Sequence, residues 1–372
     1  MKKLLSLALA STLTCGVVMA KEIKIGAVMP MSGPLAAYGQ VTNLGLELAQ
    51  KLQPTLKNGD TIKIVLLDNK GDKVETANAT TRLISSDKVV AILGALTSTN
   101  TAQTIAIADK KKIPVIAAVA TNDKLTSRRT FANRVCFSDS FQGEVVANFA
   151  IDQGYKTAVV VIDQAQVYSL GLSKAFQKAF KSKGGKIVKK IKVTSGDKDF
   201  KAVVSQIKKI NPDFMFMPLY HPEASMIARQ AKQLGLVKPM FSGDGVANQT
   251  FINLGGDALE GYMFTDFFDY TNPPSKTSSD FINFHKKETG KDEMNSFTAL
   301  GADTYNILID AMNRCEDPTN SICINEQIKK TTAFDGVSGL ISINKEGNAT
   351  RSAVIKEIKN GKAVFKATVN PE

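Results

Sequence analysis

Ile23-Lys24-Ile25-Gly26-Ala27-Val28 runs directly into Met29-Pro30-Met31-Ser32-Gly33-Pro34-Leu35-Ala36-Ala37-Tyr38-Gly39. A short apolar run that gives way to small, turn-prone residues and then to helical spacing reads as a buried strand, a loop and a helix start. The helix ends over Leu44 to Leu52, and Thr61-Ile62-Lys63-Ile64-Val65-Leu66-Leu67 is the next strand. Helical spacing returns at Ala77 to Ile84. Val89-Val90-Ala91-Ile92-Leu93 and Ile113-Pro114-Val115-Ile116-Ala117 give two more strands around a helix near Thr101 to Lys111. Short apolar strands separated by helices imply an α/β fold with a parallel sheet covered on both faces.

The same order restarts after Gly154. Thr157-Ala158-Val159-Val160-Val161-Ile162 is a first strand, Leu170 to Lys181 a helix, and Ile187 to Val193 a second strand. Phe200 to Ile210, Phe214-Met215-Phe216-Met217 and Glu223 to Leu234 continue the alternation. A chain of 372 residues exceeds what one core usually serves, so two doubly wound units are expected. Each unit offers a crevice beyond the carboxyl ends of its strands, and two that face one another enclose a cleft.

Met1-Lys2-Lys3, an uncharged run from Leu4 to Val18 and the ending Val18-Met19-Ala20 have the form of a secretory signal peptide over residues 1–20. The run is shorter than the roughly 20 apolar residues of a membrane span. Cleavage after Ala20 is the expected processing, and the export it implies is to the periplasm. Cys15 raises the alternative of a lipidated N-terminus, but Thr14 before it is a poor match. Loss of Lys2 and Lys3 lowers the formal charge from +12 to +10. The lysines are scattered, with Lys110-Lys111-Lys112 the longest run, which describes a solvated surface and no nucleic-acid partner. Cys315 and Cys323 have the spacing of a small disulfide loop, and Cys136 is left as a buried free thiol. With only His221 and His285 and no Cys-x-x-Cys, neither a metal nor a cofactor is expected.

The residues that carry chemistry follow strands. Gly94-Ala95-Leu96-Thr97-Ser98-Thr99-Asn100 and Ala118-Val119-Ala120-Thr121-Asn122 place hydroxyls beside free backbone N–H groups, a carboxylate receptor, although capping of a helix by Ser98 or Thr121 explains each alone equally well. Tyr220-His221-Pro222-Glu223 and Gly243-Asp244-Gly245-Val246-Ala247-Asn248 occupy the same place in the second unit. Asp244 between glycines is a turn acid or a ligand contact.

At Ser32-Gly33-Pro34 with Tyr38-Gly39, at Tyr220-His221-Pro222-Glu223 with Arg229-Gln230-Ala231, and at Gly245-Val246-Ala247-Asn248, the chain resembles the bacterial Leu/Ile/Val-binding proteins of branched-chain amino acid ABC transporters. The resemblance runs through nearly the whole chain after residue 20 and implies the type I periplasmic binding fold, two lobes joined by a three-crossing hinge. It implies that Ser98, the Thr121 backbone and the Tyr220 hydroxyl hold a ligand carboxylate. The Val119 carbonyl, the Thr121 hydroxyl and the Asp244 carboxylate would hold its ammonium, and Tyr38, Leu96, Tyr168 and Phe297 would wall its side chain. Crossings near residues 139, 266 and 346 would divide the chain into a first lobe of residues 21–139 plus 267–346 and a second of 140–266 plus 347–372. The implied partners are a free aliphatic amino acid and an inner-membrane ABC permease, and a monomer is expected.

Three departures from the family pattern matter. Asp244 stands where the family member compared has glutamate, a shorter arm. Thr97, with no cysteine near Asp68, removes a disulfide between first-lobe loops, so packing must hold them. Asn122-Asp123 replaces an Ala-Pro pair and adds polarity beside the carboxylate site. An enzyme would need a nucleophile and base or a metal, and Asp335-Gly336-Val337-Ser338-Gly339 lacks the nucleophile-elbow spacing. A sugar-responsive repressor would carry a helix-turn-helix in place of the signal. Delivery to a chemoreceptor or sensor, or capture of another small amino acid or amide, is the alternative with the same fold. Glu346-Gly347-Asn348-Ala349-Thr350 fits an acid-extended glycosylation sequon, and equally a turn after a strand at Ile341-Ser342-Ile343.

Overall fold

The structure, a computed structural model, describes residues 20–371. The expected signal segment and Cys15 therefore lie outside the described residues. Two sheets dominate. The first is β1 (Glu22–Met29), β2 (Thr61–Asp68), β3 (Ile92–Gly94), β4 (Val115–Ala117) and β5 (Ala132–Arg134), all parallel in the order β2-β1-β3-β4-β5. The second holds β6 (Thr157–Asp163), β7 (Lys186–Val193), β8 (Phe214–Phe216), β9 (Met240–Ser242) and β10 (Met263–Asp266). These five are parallel, in the order β10-β9-β8-β6-β7. A short three-stranded sheet, β11 (Phe334–Gly336), β12 (Gly339–Ile343) and β13 (Ala349–Thr350), lies where the chain last passes between lobes. The second sheet then gains an antiparallel edge from β14 (Ala353–Lys359) and β15 (Lys362–Val369).

Helices cover both faces. Around the first sheet they are α1 (Ala36–Leu52), α2 (Lys73–Arg82) and α3 (Ser98–Ala108); around the second, α4 (Asp139–Asp152), α5 (Val167–Ser182), α6 (Lys201–Ile210), α7 (His221–Gln233) and α8 (Gln249–Gly255). Later come α9 (Lys276–Thr289), α10 (Ser296–Asn313) and α11 (Ser321–Ile328). α10 returns to the first lobe and packs on α1 with backbone against backbone. A Cβ on Gly45 would lie 2.0 Å from Thr298 O, and one on Gly301 would lie 2.2 Å from Thr42 O. No side chain fits at either position.

Strand burial explains the composition. Val159, Val160 and Val161 of the central β6 are fully buried, as a strand covered on both faces requires. The edge strand β7, Lys-Ile-Val-Lys-Lys-Ile-Lys-Val, carries four lysines, and charge on an edge blocks pairing with another chain. Val89 and Val90 precede the strand proper, which is only Ile92–Gly94.

The three passages between lobes are stitched by two buried arginines. Arg134, at the end of β5, donates to Thr121 O (2.6 Å), Asn122 O (3.1 Å) and Asn348 Oδ1 (2.8 Å). Arg351, before β14, donates to Ser338 Oγ (2.8 Å) and Phe267 O (2.8 Å), and so ties the third passage to the second. Asn348, the sequon residue, also accepts from Thr126 Oγ1 (2.8 Å), so its carbonyl oxygen is part of this junction. Cys315 and Cys323 form a disulfide with Cα atoms 6.0 Å apart, at the end of α10 and in α11. Cys136 is free and buried, and burial pushes its thiol up to about 12. No helix among the described residues is long and apolar enough to cross a membrane.

Candidate functional site

β1 lies between β2 and β3, and β6 lies between β7 and β8, so both sheets reverse their strand order at their first strand. The loops leaving β1, β3, β4, β6, β8 and β9 converge at these switch points, where an open α/β sheet binds its ligand. Eight of the nine residues named from the sequence line one cavity between the lobes: Tyr38, Leu96, Ser98, Val119, Tyr168, Tyr220, Asp244 and Phe297. Thr97 and Gly245 complete it. Thr121 is not on the wall. Its side chain is wholly buried just behind it, and Oγ1 has no hydrogen-bond partner among the described residues.

Part of the cavity lining offers hydroxyls and a helix start. The N-cap of α3 is Thr97, whose side chain accepts from Asn100 N (3.3 Å), so Ser98 is not the cap and its hydroxyl is free of that duty. Ser98 Oγ accepts a long bond from Asn122 N (3.4 Å). Across the cleft the Tyr220 hydroxyl faces the Ser98 amide. Burial holds the hydroxyls of Tyr38, Tyr168 and Tyr220 well above the usual phenol range, which keeps them neutral donors. An anionic group placed here meets donors from both lobes.

A second part, close to the first, is acidic. Asp244 opens a single turn of 3₁₀ helix, but no side-chain bond from it caps that turn, so a turn role does not account for its carboxyl. Oδ1 accepts instead from Gln142 Nε2 (2.8 Å). Burial, with the nearby Asp266 charge adding to it, pushes its pKa up to about 7. The group is 4% exposed and has no basic partner among the described residues, so a cation brought beside it would recover much of the cost of ionising it there. Lys356, a buried lysine of the same lobe, is already paired with Asp266 (2.8 Å) and Asp269 (3.2 Å).

Apolar and aromatic groups line the rest. Tyr38 packs against Phe297 with ring centroids 5.5 Å apart, and Tyr168 stacks on Tyr220 at 5.2 Å. Phe297 reaches the cleft because the Gly45 and Gly301 contacts press α10 onto α1, which carries Tyr38. Gly243 and Gly245 are required by the same packing: a Cβ would lie 2.5 Å from the Tyr168 hydroxyl in one case and 2.7 Å from Leu219 O in the other.

The lobes touch through several bonds. The Tyr38 hydroxyl donates to Gly245 O and accepts from His221 N (3.3 Å). Thr99 Oγ1 accepts from Val167 N (3.2 Å) and donates to Gln166 Oε1 (3.0 Å). Asn122 Nδ2 donates to Val167 O (3.0 Å), and Asn295 Nδ2 donates to Ala247 O (2.9 Å). His221 is neutral in this contact, since burial lowers its pKa to about 4.

Two expectations change. Hydrogen bonds add to packing at the Asp68 loop and tie it to the loop after β1: Asp68 accepts from Met31 N (2.9 Å), Ser32 Oγ (2.6 Å) and Lys70 N (2.7 Å). The polarity of Asn122-Asp123 is also consumed internally, with Asn122 bonded to Asp139 Oδ2 (3.1 Å) and Asp123 accepting from Ser140 Oγ (2.8 Å). Asp139 and Gln142, both wholly buried behind the acidic end, were missed from the sequence. The signal was there: Asp139, Gln142, Val146 and Ala150 form one helical stripe, and polar residues on an otherwise apolar buried stripe need partners.

The family model described as "Periplasmic binding protein" matches residues 22–363. The Leu/Ile/Val/Thr-binding protein of Salmonella typhimurium is 30% identical over 335 residues, which are 88% of this chain and 89% of that protein. Among solved structures, a leucine binding protein, LivK, from Thermotoga maritima is similar with a TM-score of 0.91 and 38% identity, covering 94% of this chain and 99% of the other. LivJ of Streptococcus pneumoniae, a branched-chain amino acid transporter substrate binding protein solved in complex with isoleucine, gives a TM-score of 0.87 and 31% identity, with 94% and 100% covered. With its paired doubly wound lobes, its interlobe cleft and a match over most of its length, this chain belongs to the periplasmic binding proteins, a family of substrate-binding proteins.

Proposed function

We propose that this chain captures a branched-chain amino acid, leucine, isoleucine or valine, by closing its two lobes around it in the periplasm, and hands it to an inner-membrane ABC permease without chemical change. The observation that carries the reading is the polarity of the small cleft: hydroxyls and the α3 start lie near a buried carboxyl that has no basic partner among the described residues, and Leu96 with aromatic rings lines the rest. A zwitterion taken out of water needs both charges met, and the donors and the carboxyl, close to one another, are complementary to a carboxylate and an ammonium borne on one carbon. In this reading Ser98, Thr121 N and the Tyr220 hydroxyl take the carboxylate. Val119 O, Thr121 Oγ1 and Asp244 take the ammonium, and Tyr38, Leu96, Tyr168 and Phe297 enclose the side chain.

The names of the relatives point the same way. Selectivity among the three ligands is expected to be weak, because one methylene in an apolar pocket is worth only about 1–3 kcal/mol. The lobes are assigned as residues 21–139 plus 267–346 and 140–266 plus 347–372; the return of α10 to α1 and of β14 to β10 supports that division. The protein is expected to act as a monomer.

Calorimetry tests this directly, using protein unfolded and refolded to strip copurified ligand. Tight binding is expected for aliphatic amino acids alone. Tight binding of a sugar, a polyamine, a dipeptide or an aromatic carboxylate, with no response to leucine, isoleucine or valine, overturns the assignment. Uptake measured with and without the permease separates transport from delivery to a chemoreceptor.

A further inference from the structure

Asp139 and Gln142 stand three residues apart in the first turn of α4, so they share one face of the helix, and that face is turned inward with both side chains fully buried. Gln142 Nε2 donates to Asp244 Oδ1 (2.8 Å) and to Thr265 Oγ1 (2.9 Å). Asp139 Oδ2 accepts from Asn122 Nδ2 (3.1 Å). Its Oδ1 and the neighbouring Thr121 Oγ1 are both buried without a partner in hydrogen-bonding geometry among the described residues. Thr121 and Asp244 are the two side chains, one from each lobe, that the proposed function gives to the ligand ammonium.

A hydroxyl that accepts from an ammonium must send its own proton elsewhere, because an ammonium has donors and no lone pair. The Asp139 Oδ1 on the far side of Thr121 is the acceptor when Asp139 is ionised, a state that burial opposes and a ligand ammonium beside it favours. A carboxylate that meets a cation from across a cleft must likewise be held against rotation, and the Gln142 amide, donating to Asp244 and Thr265 together, does so. The same turn of helix is fastened to the first lobe, since Asp139 N donates to Thr121 O (2.8 Å). The space behind it is filled: a Cβ on Gly171 of α5 would lie 2.0 Å from Asn122 Nδ2 and 2.4 Å from Asp139 Oδ2.

We infer that Asp139 and Gln142 are positioning residues for the ammonium end of the cleft. Asp139 takes the Thr121 proton so that Thr121 presents only lone pairs to the ligand, and Gln142 fixes the Asp244 carboxylate toward the same point. One helical turn thereby sets how the ammonium contacts of the two lobes line up on closure. The inference rests on the amino-acid reading of the cleft.

The test uses Asp139→Asn and Gln142→Met in the full chain, with leucine and its 2-hydroxy analogue as probes, titrated by calorimetry from pH 5 to 9. In Asp139→Asn the new side-chain amide would donate to Thr121 and turn the threonine proton toward the ligand. Leucine affinity should fall about tenfold or more, while the hydroxy acid, whose neutral hydroxyl accepts as well as donates, loses much less. In a Thr121→Ala background Asp139→Asn should have little further effect, and that cycle cancels any general effect on the fold. Gln142→Met should weaken leucine and move the acid limb of its pH profile upward, because the bond it removes holds the Asp244 pKa down. The other titratable groups near Asp244, namely Tyr38, Cys136, Asp139, Tyr168, Tyr220 and Asp266, are unchanged in that variant. Leucine affinity within twofold of the parent, or equal losses for both ligands with an unmoved pH profile and additive effects in the cycle, overturns the inference. A parent that binds no amino acid overturns the functional reading instead.

Discussion

Replacing Asp244 by asparagine separates the charge of this residue from its shape. The carboxyl is 4% exposed, takes a 2.8 Å bond from Gln142 and is held near neutrality by burial, with a pKa of about 7. An asparagine carbonyl can keep the Gln142 bond, and loss of a buried ionisable group removes a desolvation cost, so the ligand-free variant should melt at or above the parent temperature. Ligand binding should suffer. Truncating one partner of a buried charge pair costs about 2–5 kcal/mol, so leucine affinity should drop at least about 30-fold, mostly through faster release. At a leucine concentration 100 times the parent Kd, binding stabilises the parent by about 2.7 kcal/mol. After a 30-fold loss the same concentration is about three times the new Kd, and the stabilisation shrinks to about 0.9 kcal/mol. Calorimetry and ligand-dependent melting read the two quantities independently. A variant that melts like the parent and binds leucine within a few-fold of it would remove Asp244 from the ammonium site and refute the electrostatic argument for the acidic end of the cleft.

Two further outcomes follow from groups already described. The Asp244 pKa is raised, so its protonated form favours the closed, ligand-free fold; that contribution is complete below about pH 4 and is lost as pH rises through about 7. A ligand cation favours the ionised form, so binding expels a proton below pH 7, and leucine affinity should fall toward tenfold per unit between about pH 7 and 5; a flat calorimetric profile over that range contradicts it. Replacing Cys315 and Cys323 by serine opens a loop of sequence separation 8 at the end of α10, which should lower stability by about 2–3 kcal/mol in chemical unfolding and leave leucine affinity unchanged. A change in affinity would mean that the loop communicates with the cleft.

The α/β alternation was legible because buried parallel strands are apolar on both faces: Val159 to Val161 and Phe214 to Phe216 are strands whichever way they are read. The C-terminal hairpin was less so. Asn360-Gly361, both at positive φ, is a two-residue hairpin turn present in the sequence, but that β14 pairs with β10 some ninety residues earlier is set by tertiary register and leaves no local trace. At the site, Ser98 was ambiguous because Thr97 beside it is an equally good cap, and only the backbone decides which hydroxyl faces the helix. Asp244 was ambiguous for the corresponding reason, since a glycine-flanked acid suits a turn until the geometry shows its carboxyl bonded to Gln142 on another helix. Asp139 and Gln142 went unread because helical spacing reveals a stripe and not what the stripe faces.

The bonds that link the lobes through Tyr38, Thr99, Asn122 and Asn295 are made by the protein alone. Each contributes on the order of 1 kcal/mol, so together they offset part of the cost of bringing the lobes together with nothing between them. A remaining gap of about 2 kcal/mol would leave roughly 3% of the empty molecules shut. Any receiver that recognises only the outline of the shut molecule would then be visited by idle carriers whenever cargo is scarce. The floor of that false traffic is set by these few contacts, so weakening one of them, for instance by Asn295→Ala, trades capture strength for a quieter background.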